Sequence, residues 1–257
     1  MIISQSYRRI LHKMGYYDYQ QGLIYRHLNQ GDGWRSHEKH CRDFILKATD
    51  NDRPEKITVL GSGWLLELPL TELAERTKHI CLIDIVHPPA VRDQVKKFKN
   101  IELLERDISG GLIYEVWRKA GKRTFLNKLR SLDEIEIPEF TLKNPGTVIS
   151  LNIMTQLEAM PLRMLEKKAR PDEAEIFNFR KKIQENHLRF LGKHKSMLIT
   201  DTAEIFTDSS GNIIEDKTVI TDLPESFMKE TWRWDFDLKG LDYSRKRSVM
   251  EVTALIL

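Results

Sequence analysis

The sequence predicts a doubly wound α/β fold: a mostly parallel sheet with one or more antiparallel strands at its C-terminal end, preceded by a helical cap. Three observations carry this. Short apolar runs near 57–60, 80–86, 101–107, 147–151 and 197–201 alternate with helical patterns, which is how a parallel sheet with crossover helices reads in sequence. The first run feeds directly into Gly61-Ser62-Gly63, and the second, Cys81-Leu82-Ile83-Asp84, closes on an acid about 20 residues further on. Near the end, Ser209-Ser210-Gly211-Asn212 reads as a hairpin tip and 247–257 as a β-rich strand, so the last part of the sheet reverses direction.

Taken in order, residues 1–52 form the cap. They are polar and helical, with a tyrosine cluster (Tyr16, Tyr17, Tyr19) and a Gly-Asp-Gly break at 31–33. From Trp34 to Ala48 the apolar positions Cys41, Phe44, Ile45 and Ala48 recur at helical spacing, and the polar run 50–53 with Pro54 ends that helix. Residues 53–257 form the α/β domain. Its first strand, 57–60, leads into a Leu-rich helix expected to run to about 77, where Pro69 fits only the opening turns or a kink. After the second strand, Pro88-Pro89 marks an exit and 90–98 a short helix; the third strand closes on Asp107 and is followed by Ser-Gly-Gly. Residues 109–146 mix basic helical stretches with an extended piece and read as an insertion. Asn144-Pro145-Gly146 is a strong turn signal before the fourth strand. Pro171-Asp172-Glu173 opens the clearest helix, with proline and acids at its start, basic residues and Gly192 at its end, and Ile176, Phe179, Ile183, His187 and Phe190 on its inward face.

Composition narrows the function. At 257 residues and 40% hydrophobic the chain has enough apolar side chains for a full core. A net charge of +3, from 41 basic and 38 acidic residues, falls short of the basic footprint of a dedicated nucleic-acid binder. Two cysteines, Cys41 and Cys81, argue against a disulfide framework and for a reducing, cytoplasmic setting. No apolar run reaches the ~20 residues of a membrane helix, and the first residues carry no signal-peptide core.

The chemistry concentrates at the strand ends. A nucleoside or phosphate approaches a backbone most closely where side chains are missing, so glycines suit the turn after a first strand, and a carboxylate at the tip of the second sits where a ribose offers two hydroxyl donors. In open α/β sheets ligands bind beyond the carboxyl ends of the strands, where Gly61, Gly63, Asp84 and Asp107 all fall. Over roughly 55–205, in these motifs and in the order of its elements, the sequence resembles the class I S-adenosylmethionine-dependent methyltransferases. The resemblance implies a Rossmann-like domain with antiparallel terminal strands and S-adenosyl-L-methionine as cofactor. It places Leu60, Gly61, Ser62 and Gly63 around the methionine part, Asp84 and Ile85 at the ribose, Asp107 and Ile108 at the adenine, and Asn152 at the strand-4 exit facing the acceptor. Two positions depart from the family pattern: Val59 stands where an acid often precedes the first glycine, and Leu65 replaces the usual third glycine.

The function so implied is methyl transfer to a small-molecule acceptor, with no catalytic base assigned. Asn152-Ile153-Met154-Thr155 lacks the Pro-Pro-Tyr that accompanies methylation of base or glutamine amino groups in the family. Two other readings stay open: a non-catalytic protein of the same fold, and an NAD(P)-dependent oxidoreductase, against which Leu66 stands where a third glycine belongs.

Several clusters carry blander expectations. His37, His40 and Cys41 share a helix face but lack a second ligand pair, so they read as a solvated helix with one inward cysteine and no metal site. The same helix, lying over a cleft, would turn Trp34 and His37 toward substrate. Trp232-Arg233-Trp234 with Arg245-Lys246-Arg247 reads as a tryptophan pair at the core edge plus a solvated turn rather than a nucleic-acid surface. Lys119, Lys122, Arg123, Lys128 and Arg130 read as a solubilising run, His187 as a hydrogen-bonded core histidine, and Asp201 as near the active face.

Overall fold

The structure, a computed structural model, describes residues 3–50, 52–121, 129–241 and 246–257. Eight strands form one sheet in the order β3-β2-β1-β4-β5-β8-β7, with β6 pairing to β5 beside this path. The parallel part comprises β1 (Lys56–Leu60), β2 (His79–Asp84), β3 (Ile101–Glu105), β4 (Thr147–Leu151) and the first half of β5 (Ser196–Thr207). The reversed part comprises β6 (Ile213–Lys217), β7 (Lys229–Asp237) and β8 (Arg247–Ile256), all in antiparallel pairs.

Alternation along the strands sorts side chains into two cores, as the two-residue period of a strand requires. Ile57, Val59, Ile80, Leu82, Ile149 and Ile199 meet α3 (Arg35–Asp50), α4 (Leu70–Arg76) and α5 (Pro89–Val95) on one face. Leu60, Ile83, Val148 and Leu198 meet α6 (Leu112–Ala120), α7 (Gln156–Ala169) and α8 (Glu173–Leu191) on the other. Two cap helices, α1 (Gln5–Met14) and α2 (Tyr16–Asn29), are joined at Gly15, whose φ of +88° ends one helix and admits the next. They pack over α6 and α7 through Tyr7, Leu11, Ile113 and Met160. Among the described residues no helix is long and apolar enough to cross a membrane.

Most expected elements are present, α8 with a full capping box between Asp172 and Glu175. Four differ. The helix after the glycines begins only at Leu70, because Gly61, Gly63 and Leu65 have φ of +79°, +49° and +63° and cannot be helical. The second and third strands stop at Asp84 and Glu105, short of 86 and 107, so that both chains turn at the sheet edge. The fifth strand runs on to Thr207, since β8 and β6 continue to pair with it past an irregularity at Asp201/Ala203. α7 and β7 were not foreseen.

Candidate functional site

The glycine turn is built from the end of β1. Gly61 donates its amide to Ile83 O (2.9 Å), which holds the turn against β2. A Cβ on Gly61 would lie 2.6 Å from Ile153 Cβ and 2.8 Å from Leu151 O, so this glycine permits close approach of the β1 and β4 exits. Gly63 differs: a Cβ there meets only Gly61 O at 3.9 Å, and its free side borders a cleft. Leu65 keeps a left-handed backbone despite its side chain, a conformation costing roughly 1–2 kcal/mol in an ordinary residue, and it is held there by burial in the α3 core.

Asp84 is fixed beneath this turn. One carboxylate oxygen accepts from Gly63 N (2.7 Å); the other accepts from Ile85 N (2.7 Å) and from Gln20 Nε2 of α2 (3.3 Å). Only 3% exposed, the carboxyl is pushed by burial up to about 6, against the pull of the amides of Gly63, Ile85 and Val86. Asp107 sits under α1 instead. It accepts from the Tyr7 hydroxyl (2.5 Å) and from the Ser109 amide and hydroxyl (2.9 and 2.5 Å). Burial and the Asp107 charge push the Tyr7 phenol far above its ordinary range, so it stays a donor. Arg8 pairs with Glu105, and Trp64 Nε1 donates to Gln20 O (2.9 Å), so both cap helices are tied to the strand ends. Tyr7→Phe removes a hydrogen bond to a buried carboxylate and is expected to cost about 1.5–3 kcal/mol, read as a lower Tm by thermal denaturation.

The β4 exit is governed by a residue expected to be solvated. His37 is fully buried, stacked on Trp234 at 3.8 Å and 6°. The reason is tertiary: β7 lays Trp232 and Trp234 across α3 and removes that helix face from water. Trp232 Nε1 can only donate, and it lies 3.0 Å from His37 Nδ1, so Nδ1 accepts and the ring proton is on Nε2. The Asn152 amide lies 3.1 Å from Nε2. A donor there selects the carbonyl end of that amide. Asn152 has φ +48°, and Gln156 Nε2 donates to its carbonyl (2.5 Å), bracing the exit.

Of the positions singled out in sequence, Gly61, Gly63, Asp84 and Asn152 line one cleft with Gln20, Trp64, Glu67, Gln156 and Trp234. Leu60 and Ile108 are core residues on the α6–α8 side. Ile85 packs with the α1 cluster, and Ser62 turns beneath the loop to His87 Nε2 (3.2 Å). Burial lowers His87 to about 4, so it pairs with Ser62 as a neutral ring. Sequence reasoning missed His87, Gln20 and Glu67, which reach the site from separate turns and the cap without a local motif. His187 bonds Ser150 Oγ through Nε2 (2.8 Å), and burial lowers it to about 4. Asp201 accepts from the Thr155 hydroxyl (2.6 Å). Trp232 and Trp234 are buried at the core edge. Lys122, Arg123, Lys128 and Arg245 lie outside the described residues. Among the described residues no group of three or more His, Cys, Asp or Glu side chains is placed to hold a metal ion.

The cleft opens where β1 and β4 adjoin, the point from which the chain winds outward in both directions and where ligands of open α/β sheets sit. Beyond β5 the sheet ends in the reversed strands β8 and β7. The sheet is doubly wound and mostly parallel with antiparallel terminal strands, the architecture that the sequence resemblance implies. Solved structures similar to this chain include the N-methyltransferase NodS from Bradyrhizobium japonicum WM9 in complex with S-adenosyl-L-homocysteine, at 13% identity and TM-score 0.41 over 85% of each chain. A second is the Burkholderia thailandensis 1,6-didemethyltoxoflavin-N1-methyltransferase with bound 1,6-didemethyltoxoflavin and S-adenosylhomocysteine, at 7% identity and TM-score 0.42 over 100% of this chain and 91% of that one. A third is the putative RNA methyltransferase PH1948 from Pyrococcus horikoshii, at 10% identity and TM-score 0.37 over 85% and 83%. No family model and no curated protein matches the sequence.

Proposed function

We propose that the protein is an S-adenosylmethionine-dependent methyltransferase acting on a small-molecule acceptor, with residues 1–52 as a cap over the 53–257 domain. The observation that carries this reading is the Asp84 carboxylate held by the Gly63 amide at the switch point of the sheet. Asp84 would accept the two ribose hydroxyls, the open side of Gly63 would face the methionine part, and Asp107 with Ile108 would border the adenine. Leu60, Ser62 and Ile85 would act from behind by shaping the turn. The bound cofactor supplies an already activated methyl group on a sulfonium centre; the chain's own task is alignment and exclusion of water. Asn152 would orient the reacting partners from the β4 exit, while Trp64 and Trp234 would wall the cleft. The two cysteines are free and buried, which suits a reducing cytoplasm.

One observation favours the non-catalytic alternative. The cleft measures ≈ 70 Å³, space for a few waters and well below the ~300 Å³ at which small-molecule sites begin. Entry of a nucleoside therefore requires Gln20 to leave Asp84, α2 to lift, and Tyr7 of α1 to give way at Asp107.

Calorimetric titration with S-adenosylmethionine, S-adenosylhomocysteine and NAD separates the readings. Micromolar binding of the first two supports the proposal; binding of neither leaves the fold without its cofactor, and binding of NAD alone makes the chain an oxidoreductase candidate. The pH dependence is a further check. Ribose hydroxyls need an ionised acceptor, so S-adenosylhomocysteine affinity is expected to rise with pH and level off above about 6, falling by up to ~10-fold per unit below it. Stability of the protein alone runs the other way. The Asp84 pKa is raised from 3.8 to about 6, so its contribution is fully present below 3.8 and is lost as pH rises through 6.

A further inference from the structure

A second and larger cavity, ≈ 830 Å³, lies between the cap and the α6–α7 pair and shares no lining residue with the cleft. Its size falls within the range of pockets that enclose whole small molecules. Its charge is one-sided: Lys13, Arg26, Arg163, Lys167 and Lys168 line it, against the single acid Asp18. Arg163, Lys167 and Lys168 stand on the exposed face of α7 and form no ion pair among the described residues. Solvated lysines usually scatter among acids; here they converge on a recess.

Two helices connect this cavity to the cleft. On α2, Tyr19, Gly22 and Arg26 share one face and line the cavity, while Gln20 and Leu23, about 100° further round, line the cleft. On α7, Gln156 lies in the cleft and Met160, one turn on, in the cavity; Arg163, Met164 and Lys167 continue the same track. Tyr19 stands at the junction. It lines the cavity beside the cleft-lining Gln20, and burial pushes its hydroxyl up to about 12.

We infer that this cavity is the acceptor-binding site and that the acceptor is a small polyanion, carrying at least two negative charges as phosphate or carboxylate groups. Its anionic end would lie along Lys13, Arg163, Lys167 and Lys168, and its reactive end would reach past Tyr19 and Met160 to the β4 exit. A nucleic acid fits less well. Trp117 and Tyr19 are the only large aromatic rings in the lining, too few to stack successive bases. The inference rests on the methyltransferase reading, and the outcomes of the test tell its failure from the failure of that reading.

The test is calorimetry at low salt on the full chain and on the double variant Arg163→Glu/Lys167→Glu, which lies outside the proposed cofactor machinery. Four probes are titrated: pyrophosphate, tricarballylate, a short single-stranded RNA and S-adenosylhomocysteine. The expected result is binding of pyrophosphate or tricarballylate with Kd below about 1 mM, weakened at least ~10-fold in the variant, with S-adenosylhomocysteine affinity and Tm unchanged. Which small anion binds more tightly distinguishes a phosphorylated from a polycarboxylate acceptor. Equal binding to both proteins, or no binding of either small anion, overturns the inference; binding of RNA alone overturns its small-molecule class. Anion binding without S-adenosylhomocysteine binding overturns the acceptor role and the methyltransferase reading together, and leaves the cavity an anion site.

Discussion

Asp84→Asn is expected to weaken S-adenosylhomocysteine binding at least ~100-fold by calorimetry, since each hydrogen bond to a charged acceptor contributes about 1.5–3 kcal/mol and two ribose hydroxyls lose theirs. The fold should change much less. An asparagine oxygen can still accept one of the amides of Gly63 and Ile85 that the carboxylate now holds at 2.7 Å. The substitution also removes a buried charge whose ionised form the surroundings disfavour, as the rise to about 6 shows. Stability within about 1 kcal/mol of the parent, together with lost binding, is the expected pattern. Parallel loss of both would mean that Asp84 only holds the turn.

Gly61→Ala makes the opposite separation. Its Cβ would stand 2.6 Å from Ile153 Cβ and 2.8 Å from Leu151 O, and the backbone is at φ +79°. Left-handed strain adds about 1 kcal/mol and overpacking a further ~1–3, so a loss of roughly 3 kcal/mol is expected in chemical denaturation. Gly63→Ala carries only the strain, because a Cβ there finds open space on the cleft side. It should cost about 1 kcal/mol of stability yet weaken cofactor binding more than its stability loss implies. Equal stability losses at the two glycines would contradict this division of labour within one turn.

The parallel half of the sheet was legible because its signals are local. Apolar runs bounded by Gly, Pro and Asp gave four strands within a residue or two, and Pro171-Asp172-Glu173 gave α8 with its cap. β7 carried a readable alternation of its own, since Trp232, Trp234 and Phe236 point inward while Arg233 and Asp235 point out; the tryptophan pair was placed at the core edge, but the strand that carries it was not. α7 was hidden by Pro161, which normally breaks a helix interior. The helix runs through it all the same, without the bond its N–H would have made to the Leu157 carbonyl. At the site, Gly61, Gly63, Asp84 and Asn152 converge as their strand-end positions imply. Trp34, read in sequence as turned toward substrate, does line the cleft, whereas Gln20 and Glu67 were not legible. Each reaches the cleft by the docking of cap and β7, and polarity in sequence carries no record of a face that tertiary packing later covers.

The most direct test of the account is a crystal structure of the protein with S-adenosylhomocysteine. The account predicts both ribose hydroxyls within about 3.2 Å of the Asp84 carboxylate, the Gln20 amide withdrawn from it, and α2 lifted from the cleft. Ligand bound elsewhere, with the Gln20–Asp84 and Gly63–Asp84 bonds left as they are, would contradict it.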